Sequence, residues 1–599
     1  VLPQISPDGQ RLSYLAPVDG VLNVFVGPVD GDDFQPVTDD RDRGVRQYTW
    51  AHDNRHIIYL QDIGGDENWR LYTVDLDTGE VRDLTPFDKV QVMIVKGSRR
   101  RPNEFLIGMN KDNPQLHDVY KLDLTSGELE KVADNPGFIG WTADDDFNVR
   151  IGGAPTADGG LALMHRADSS AEWAPLVIFD SDDALSSGPL ALTADGNGLY
   201  LKTSQGVNAG RLVLRDLTSG EETVIAEDPQ YDLGGAELHP QTKEVQLVGF
   251  ERDRLEWEIH DDSIAADIAG IRKLHSGDFG IMDRDHADRT WLVGFTADDG
   301  PVAYYSWDRE AKKGKLLFTH RPELEDYELA KVEPFQFTAR DGLAVHGYLT
   351  FPPGVDRTDL KTVLNVHGGP WARDAWGFNP ESQWFANRGY LSVQVNYRGS
   401  TGYGKEFLNA GDKEWGGKMH DDLIDAVNWV VEKGYTDAAK VAIYGGSYGG
   451  FAALTGATET PDTFCCAVDI VGPSSLKTFI EGVPEYWKPM LNMLHRRVGN
   501  PETEGDFLWS RSPLSKVDKI RIPMLIAQGA NDPRVKQEES EQVVAAMKEK
   551  GIDHDYMLFE DEGHGFAKPE NRLKFYAAAE RFLSRHLGGA CEEEGPTKL

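Results

Sequence analysis

The pattern of apolar and polar positions changes character once along this 599-residue chain. Up to about residue 325, apolar runs are short and are cut by Asp, Asn and Gly turns at regular intervals. Polar turns that open a hairpin recur at Ser6-Pro7-Asp8-Gly9, Ala51-His52-Asp53-Asn54, Thr142-Ala143-Asp144-Asp145, Thr193-Ala194-Asp195-Gly196 and Thr296-Ala297-Asp298-Asp299-Gly300. A second kind of turn closes a strand, at residues 75–80, 123–128 and 216–221. Both supply the residues that tight hairpins require. Units begin near residues 5, 48, 94, 138, 190, 236 and 290, spaced by about 45–55 residues. That spacing suits four-stranded blades. The pattern predicts an all-β propeller of about seven blades over residues 1–330, with a pair of β-sandwiches as the alternative.

After about residue 333 the pattern alternates between strand and helix. Strands are predicted at 362–366, 391–397, 441–444, 467–471, 524–527 and 556–559. Met419, Leu423, Ile424, Val427, Val430 and Val431 mark one face of a helix, and further helices fit 537–549 and 570–586. Such alternation implies a mostly parallel sheet covered on both faces, here over residues 331–588, followed by a polar tail at 589–599.

Composition narrows the picture modestly. Hydrophobic residues make up 40% and charged residues 27%, as in a soluble globular protein. The formal net charge of −37 argues against nucleic acid and anionic membranes as partners. No apolar run approaches the ~18–20 residues that span a bilayer. No export signal is visible, so the expected location is cytoplasmic. The sequence begins inside a repeat, which leaves a preceding signal open. Of three cysteines, Cys465 and Cys466 read as inert thiols in a core strand and Cys591 lies in the tail. Neither a disulfide framework nor a zinc site is indicated, and no cofactor is implied.

The candidate chemistry lies in the second half. Ser447 sits in Gly445-Gly446-Ser447-Tyr448-Gly449, between the strand at 441–444 and a small-residue helix from about Phe451. A serine at such a turn projects its hydroxyl from the sheet. Asp532, after the strand at 524–527, and His564, after the strand at 556–559, follow in the order of an α/β-hydrolase triad. Taken singly, Asp532 reads equally well as a turn residue, and an exposed loop histidine is the lesser reading of His564. Order, spacing and placement past strand C-termini join the three. Asp561 and Glu562 read as solvated or capping groups. His367-Gly368-Gly369-Pro370 follows the strand at 362–366, where such enzymes carry an oxyanion loop. The Gly369 and Tyr448 amides are its natural donors.

These segments, with Asn396-Tyr397-Arg398-Gly399-Ser400-Thr401-Gly402-Tyr403-Gly404 and Asn531-Asp532-Pro533-Arg534-Val535, resemble the prolyl oligopeptidase family of serine peptidases. The acylaminoacyl-peptidase, or dipeptidyl aminopeptidase-like, branch is the nearest match. The resemblance is specific over residues 330–588 and architectural before it. It implies a propeller that admits short peptides and excludes folded proteins. It also implies that Arg534 binds a substrate carbonyl, and that Val471, Tyr486 and Trp487 line an apolar pocket for the residue before the cut. His367 occupies the position where some relatives place an oxyanion-binding tyrosine, which adds it to the substrate-binding set.

The paired-glutamate motif by which dipeptidyl peptidases of this family hold a free N-terminus has no clear copy. Asp66-Glu67-Asn68-Trp69 reads as a solvated hairpin. The expected activity is therefore hydrolysis of short peptides, releasing acylated residues or small fragments from the N-terminus. Dipeptidyl aminopeptidase, small-molecule esterase or amidase, and a propeller interaction module with an inactive hydrolase domain are the alternatives. Self-assembly stays open.

Overall fold

The computed structural model describes residues 2–592. Seven antiparallel sheets succeed one another from Gln4 to Thr319, six of four strands and one of three. They occupy residues 4–36, 47–83, 92–133, 140–179, 188–226, 233–259 and 278–319, the seven blades of a propeller. Alternating apolar residues bury one blade against the next. Ile58, Leu60 and Leu71 of blade two, for example, share a cluster with Ile107, Tyr120 and Leu122 of blade three.

Two blades depart from the turn-based reading. In blade six a helical segment replaces the fourth strand. Its Ile264, Ile268 and Ile271 pack with Trp291 and Trp307 of blade seven. Blade seven begins at Asp278, not near residue 290. Its first strand, Asp278–Arg284, carries charges at both ends and gives little apolar signal. The turn at 296–300 joins the second and third strands of this blade. It therefore opens on the opposite face from the other turns of its kind.

The ring closes where the Ile5 amide donates to Asp283 Oδ2 (2.9 Å) and the His286 amide donates to the Pro7 carbonyl (2.7 Å). On the face bearing the first turn of each blade, side chains reach across the ring. Arg99 donates to the His286 carbonyl (3.0 Å), and Lys243 Nζ lies 3.6 Å from Asp145 Oδ2.

The opposite face meets the second domain. Its eight-stranded sheet is built from β1 (Val332–Thr338), β2 (Ala344–Thr350), β3 (Leu360–Val366), β4 (Tyr390–Asn396), β5 (Thr436–Gly446), β6 (Cys466–Ile470), β7 (Met524–Gly529) and β8 (His554–Phe559). The spatial order is β1-β2-β4-β3-β5-β6-β7-β8, and only β2 runs against the rest. This is the α/β-hydrolase sheet expected from the sequence. Side chains alternate between its faces. Val441 and Ile443 of β5 join a core with α2 (Lys418–Glu432), α3 (Tyr448–Glu459) and α4 (Gln537–Lys550). Ala442 and Tyr444 join the opposite core with α1 (Pro380–Asn387) and α5 (Pro569–His586). Cys466 is buried in that second core, with Cys465 half-buried beside it. Among the described residues, no helix is long and apolar enough to cross a membrane.

Candidate active site

Ser447 occupies the single position between β5 and α3, with φ 59° and ψ −117°. Side-chain-bearing residues rarely adopt this conformation, which costs ~1–3 kcal/mol. Two hydrogen bonds hold it. The Ser447 amide donates to the Ile470 carbonyl (2.8 Å), and the Phe451 amide donates to the Ser447 carbonyl (3.0 Å). A Cβ on Gly449 would overlap the Val366 carbonyl oxygen, so α3 reaches β3 this closely only with glycine there. The helix starts at Tyr448, earlier than the Phe451 expected.

His564 Nε2 lies 3.0 Å from Ser447 Oγ, and His564 Nδ1 lies 2.7 Å from Asp532 Oδ2. The other carboxylate oxygen, Asp532 Oδ1, accepts from the Arg534 and Val535 amides, each at 2.9 Å. With the carboxylate fixed by backbone and its side chain wholly buried, the imidazole is oriented with Nε2 toward the hydroxyl. The structure thus brings together the three residues singled out in sequence. Such a chain can take the serine proton as the oxygen attacks. The 367–370 loop passes alongside: a Cβ on Gly368 would lie 3.5 Å from Ser447 Cβ, and Gly369 has φ 125°.

Ser447, His564, Gly369 and Tyr448 line one cavity of about 330 Å³, walled by Trp371, Trp415, Phe479 and Trp487. Trp487 is in its lining, as expected, and so is Arg534. Tyr486 stands behind it, with its hydroxyl donating to Glu67 Oε2 (2.5 Å). Val471 and His367 are not brought into this pocket; they line a second cavity on the other side of Ser447. The His367 ring stacks on Tyr397 (4.4 Å between centroids), and its Nε2 lies 3.0 Å from Ser400 Oγ. Burial pushes its pKa down to about 4, so the ring is neutral and braces the glycine loop.

The largest departure from the sequence reading is Glu67. It is buried, not solvated, with φ 57°. Arg534 Nε lies 2.9 Å from Glu67 Oε1, which places a propeller carboxylate against a residue that lines the apolar cavity. The whole blade-two loop docks on the second domain. Asn531 Nδ2 donates to the Gly64 carbonyl (2.8 Å), and a Cβ on Gly65 would overlap the Gly563 amide, next to His564. Arg43 pairs with Asp62 (3.1 Å) and with Glu562 (2.8 Å). Glu562 is also fully buried and accepts from the Ala567 and Lys568 amides at the start of α5. Its capping role matches the expectation and its solvation does not. Charged residues in a Gly-rich loop look solvated because partners such as Arg43 and Arg534 come from the other domain.

The prolyl oligopeptidase family profile matches residues 376–590. Dipeptidyl aminopeptidase BIII of Pseudoxanthomonas mexicana is 45% identical, over 99% of this chain and 87% of that protein. Dipeptidyl peptidase family member 6 of Caenorhabditis elegans is 35% identical, over 99% of this chain and 85% of that one. A puromycin-hydrolyzing peptidase of Mycobacterium tuberculosis shares the fold at TM-score 0.80 with 20% identity, covering 100% of this chain and 95% of that one. The chain belongs to the prolyl oligopeptidase family of serine peptidases.

Proposed function

We propose that this peptidase releases dipeptides from the free N-terminus of short peptides, with Ser447 as nucleophile. Ser447 Oγ attacks the scissile carbonyl while His564 Nε2 takes its proton, and Asp532 steadies the resulting imidazolium. The Gly369 and Tyr448 amides receive the developing oxyanion, each such donor being worth ~2.7–4 kcal/mol. His564 returns the proton to the leaving amine, and the C–N bond breaks. Water then adds to the acyl-enzyme by the same base catalysis, which frees the N-terminal fragment and restores Ser447.

The observation that carries the dipeptidyl reading is the Glu67 carboxylate, held by Tyr486 and by Arg534, which lines the apolar cavity. A carboxylate fixed there suits a peptide α-ammonium. The apolar cavity suits the side chain of the residue before the cut, and a propeller above the site suits short peptides. The absence of an anchoring glutamate had favoured blocked N-termini, and Glu67 removes that reason. Whole-length similarity to two proteins named as dipeptidyl peptidases points the same way. The rice acylamino-acid-releasing enzyme 1 matches over only 41% of this chain.

Free and N-acetylated dipeptidyl p-nitroanilides test the reading. The free substrate is expected to lead in kcat/KM by about 100-fold, and Glu67→Gln to erase most of that lead, as for loss of one partner of a buried charge pair. Equal or faster turnover of the acetylated substrate would return the assignment to acylated peptides.

A further inference from the structure

Ser447 and His564 line two cavities, and the mechanism above fills only one. The second, of about 440 Å³, lies over the sheet face that carries α1 and α5. Asp374 and Glu381 contribute to its wall beside Asn365, Asn379, Tyr444 and Tyr576. We propose that this cavity receives the residue on the leaving side of the cut bond, and that it selects a basic side chain, lysine or arginine. The inference rests on the peptidase reading given above.

Three groups leave the reacting carbon in different directions. The acyl part takes the apolar cavity beside Trp487 and Arg534, and the oxyanion takes the Gly369 and Tyr448 amides, which line that same cavity. The leaving nitrogen must face His564 Nε2, because it receives its proton there. The second cavity contains Ser447 and His564 but neither Gly369 nor Tyr448, so it is the space open to the leaving side.

Its unpartnered carboxyl oxygen then sets the preference. Asp374 Oδ1 accepts from Gln394 Nε2 (2.8 Å), while Asp374 Oδ2 is buried without a hydrogen-bond partner. Burial pushes this carboxyl up to about 7. Glu381 accepts from the Tyr444 and Tyr576 hydroxyls (2.7 and 3.1 Å), and burial raises its pKa as well. A buried carboxylate oxygen without a partner is costly, and an ammonium or guanidinium supplies one. His367, also in the wall, is kept neutral by burial. Two cations oppose them: Arg572 lines the cavity from an exposed stretch of α5, where solvent screens it, and Arg373, outside the lining, acts on Asp374. In the lining itself, carboxyls outnumber cations two to one.

The test is a set of internally quenched tetrapeptides with free N-termini that differ only in the third residue: lysine, arginine, norleucine, glutamine or glutamate. Lysine and arginine are expected to exceed norleucine in kcat/KM by about tenfold, the scale of one charge-assisted hydrogen bond. In Asp374→Asn the lysine-to-norleucine ratio is expected to fall toward one. A dipeptidyl p-nitroanilide, whose leaving group has no side chain, reports separately on the underlying reading. Cleavage of the nitroanilide with norleucine or glutamate equal to or better than lysine overturns this inference alone. If the nitroanilide and every tetrapeptide stay intact, the peptidase reading falls with it. A variant that keeps the wild-type lysine preference would remove Asp374 from the subsite.

Discussion

The Ser447 turn and the blade-two loop around Glu67 are built alike and held differently. Each has a side-chain-bearing residue at positive φ, 59° for Ser447 and 57° for Glu67, next to glycines that permit close approach. Ser447 is fixed by its neighbours in one sheet: the strand that ends at Gly446, the helix that begins at Tyr448, and the Ile470 carbonyl. Glu67 is fixed by Arg534 and Tyr486, more than 400 residues away, while Gly65 rests on the loop of His564. One loop carries the proposed nucleophile; the other packs around it. Conformational strain marks both positions, and the source of support distinguishes their roles.

Four outcomes would break or sharpen this contrast, in descending size. Ser447→Ala should lower kcat by roughly 10⁴–10⁶-fold with the thermal midpoint unchanged, since the turn is local. Appreciable turnover by that variant would end the assignment of the nucleophile.

Arg43→Ala should act on stability instead. It strands Glu562, whose side chain is wholly buried, and the nearly buried Asp62. Removing one partner of such a buried group costs ~3–5 kcal/mol. Denaturant unfolding that matches wild type would show that the blade-two loop is not anchored through this pair.

Gly65→Ala should fall between these in kind. The new Cβ meets the Gly563 backbone, and φ 88° disfavours alanine. Displacing the His564 loop should reduce kcat by about 100-fold on every substrate, because small misplacements of a catalytic group are expensive. A change confined to KM for peptides would place the loop in binding alone.

The smallest effect is expected at Asp469→Asn, beneath the Ser447 turn. Burial raises the Asp469 carboxyl from 3.8 to about 8, and its Oδ2 has no hydrogen-bond partner. The folded protein therefore keeps a proton that the unfolded chain releases, so wild-type stability falls as pH rises from about 4 to about 8. Asparagine carries no such dependence, and the variant's melting temperature should gain on wild type by a few degrees across that window. His52, His117, His320, His367 and His420 are pushed down to about 4 by burial and act with the opposite sign. The difference between variant and wild type therefore carries the prediction, and a difference that is flat with pH would contradict it.

The same contrast explains what could be read in advance. The order of Ser447, Asp532 and His564, their places past strand ends, and the recurrence of blade turns are local or periodic features. They follow from side-chain alternation and turn chemistry, which act over a few residues. The fourth strand of blade six failed as an expectation because a helix satisfies the same apolar face with Ile264, Ile268 and Ile271. Val471 lines the second cavity and not the expected apolar pocket, because sequence distance from Ser447 does not say on which side of the serine a side chain falls.

The sequence by itself therefore determined the two-part architecture, the Ser447–His564–Asp532 grouping, and the glycine loop beside it. Each rests on short-range constraints written into a contiguous segment. Only the tertiary structure decided that Glu67 is buried against Arg534, that the propeller buttresses the His564 loop, and that Ser447 opens on two cavities, one walled by aromatic rings and one containing Asp374 and Glu381. Those depend on surfaces meeting across hundreds of residues, where burial and charge pairing are set by packing and leave no local pattern.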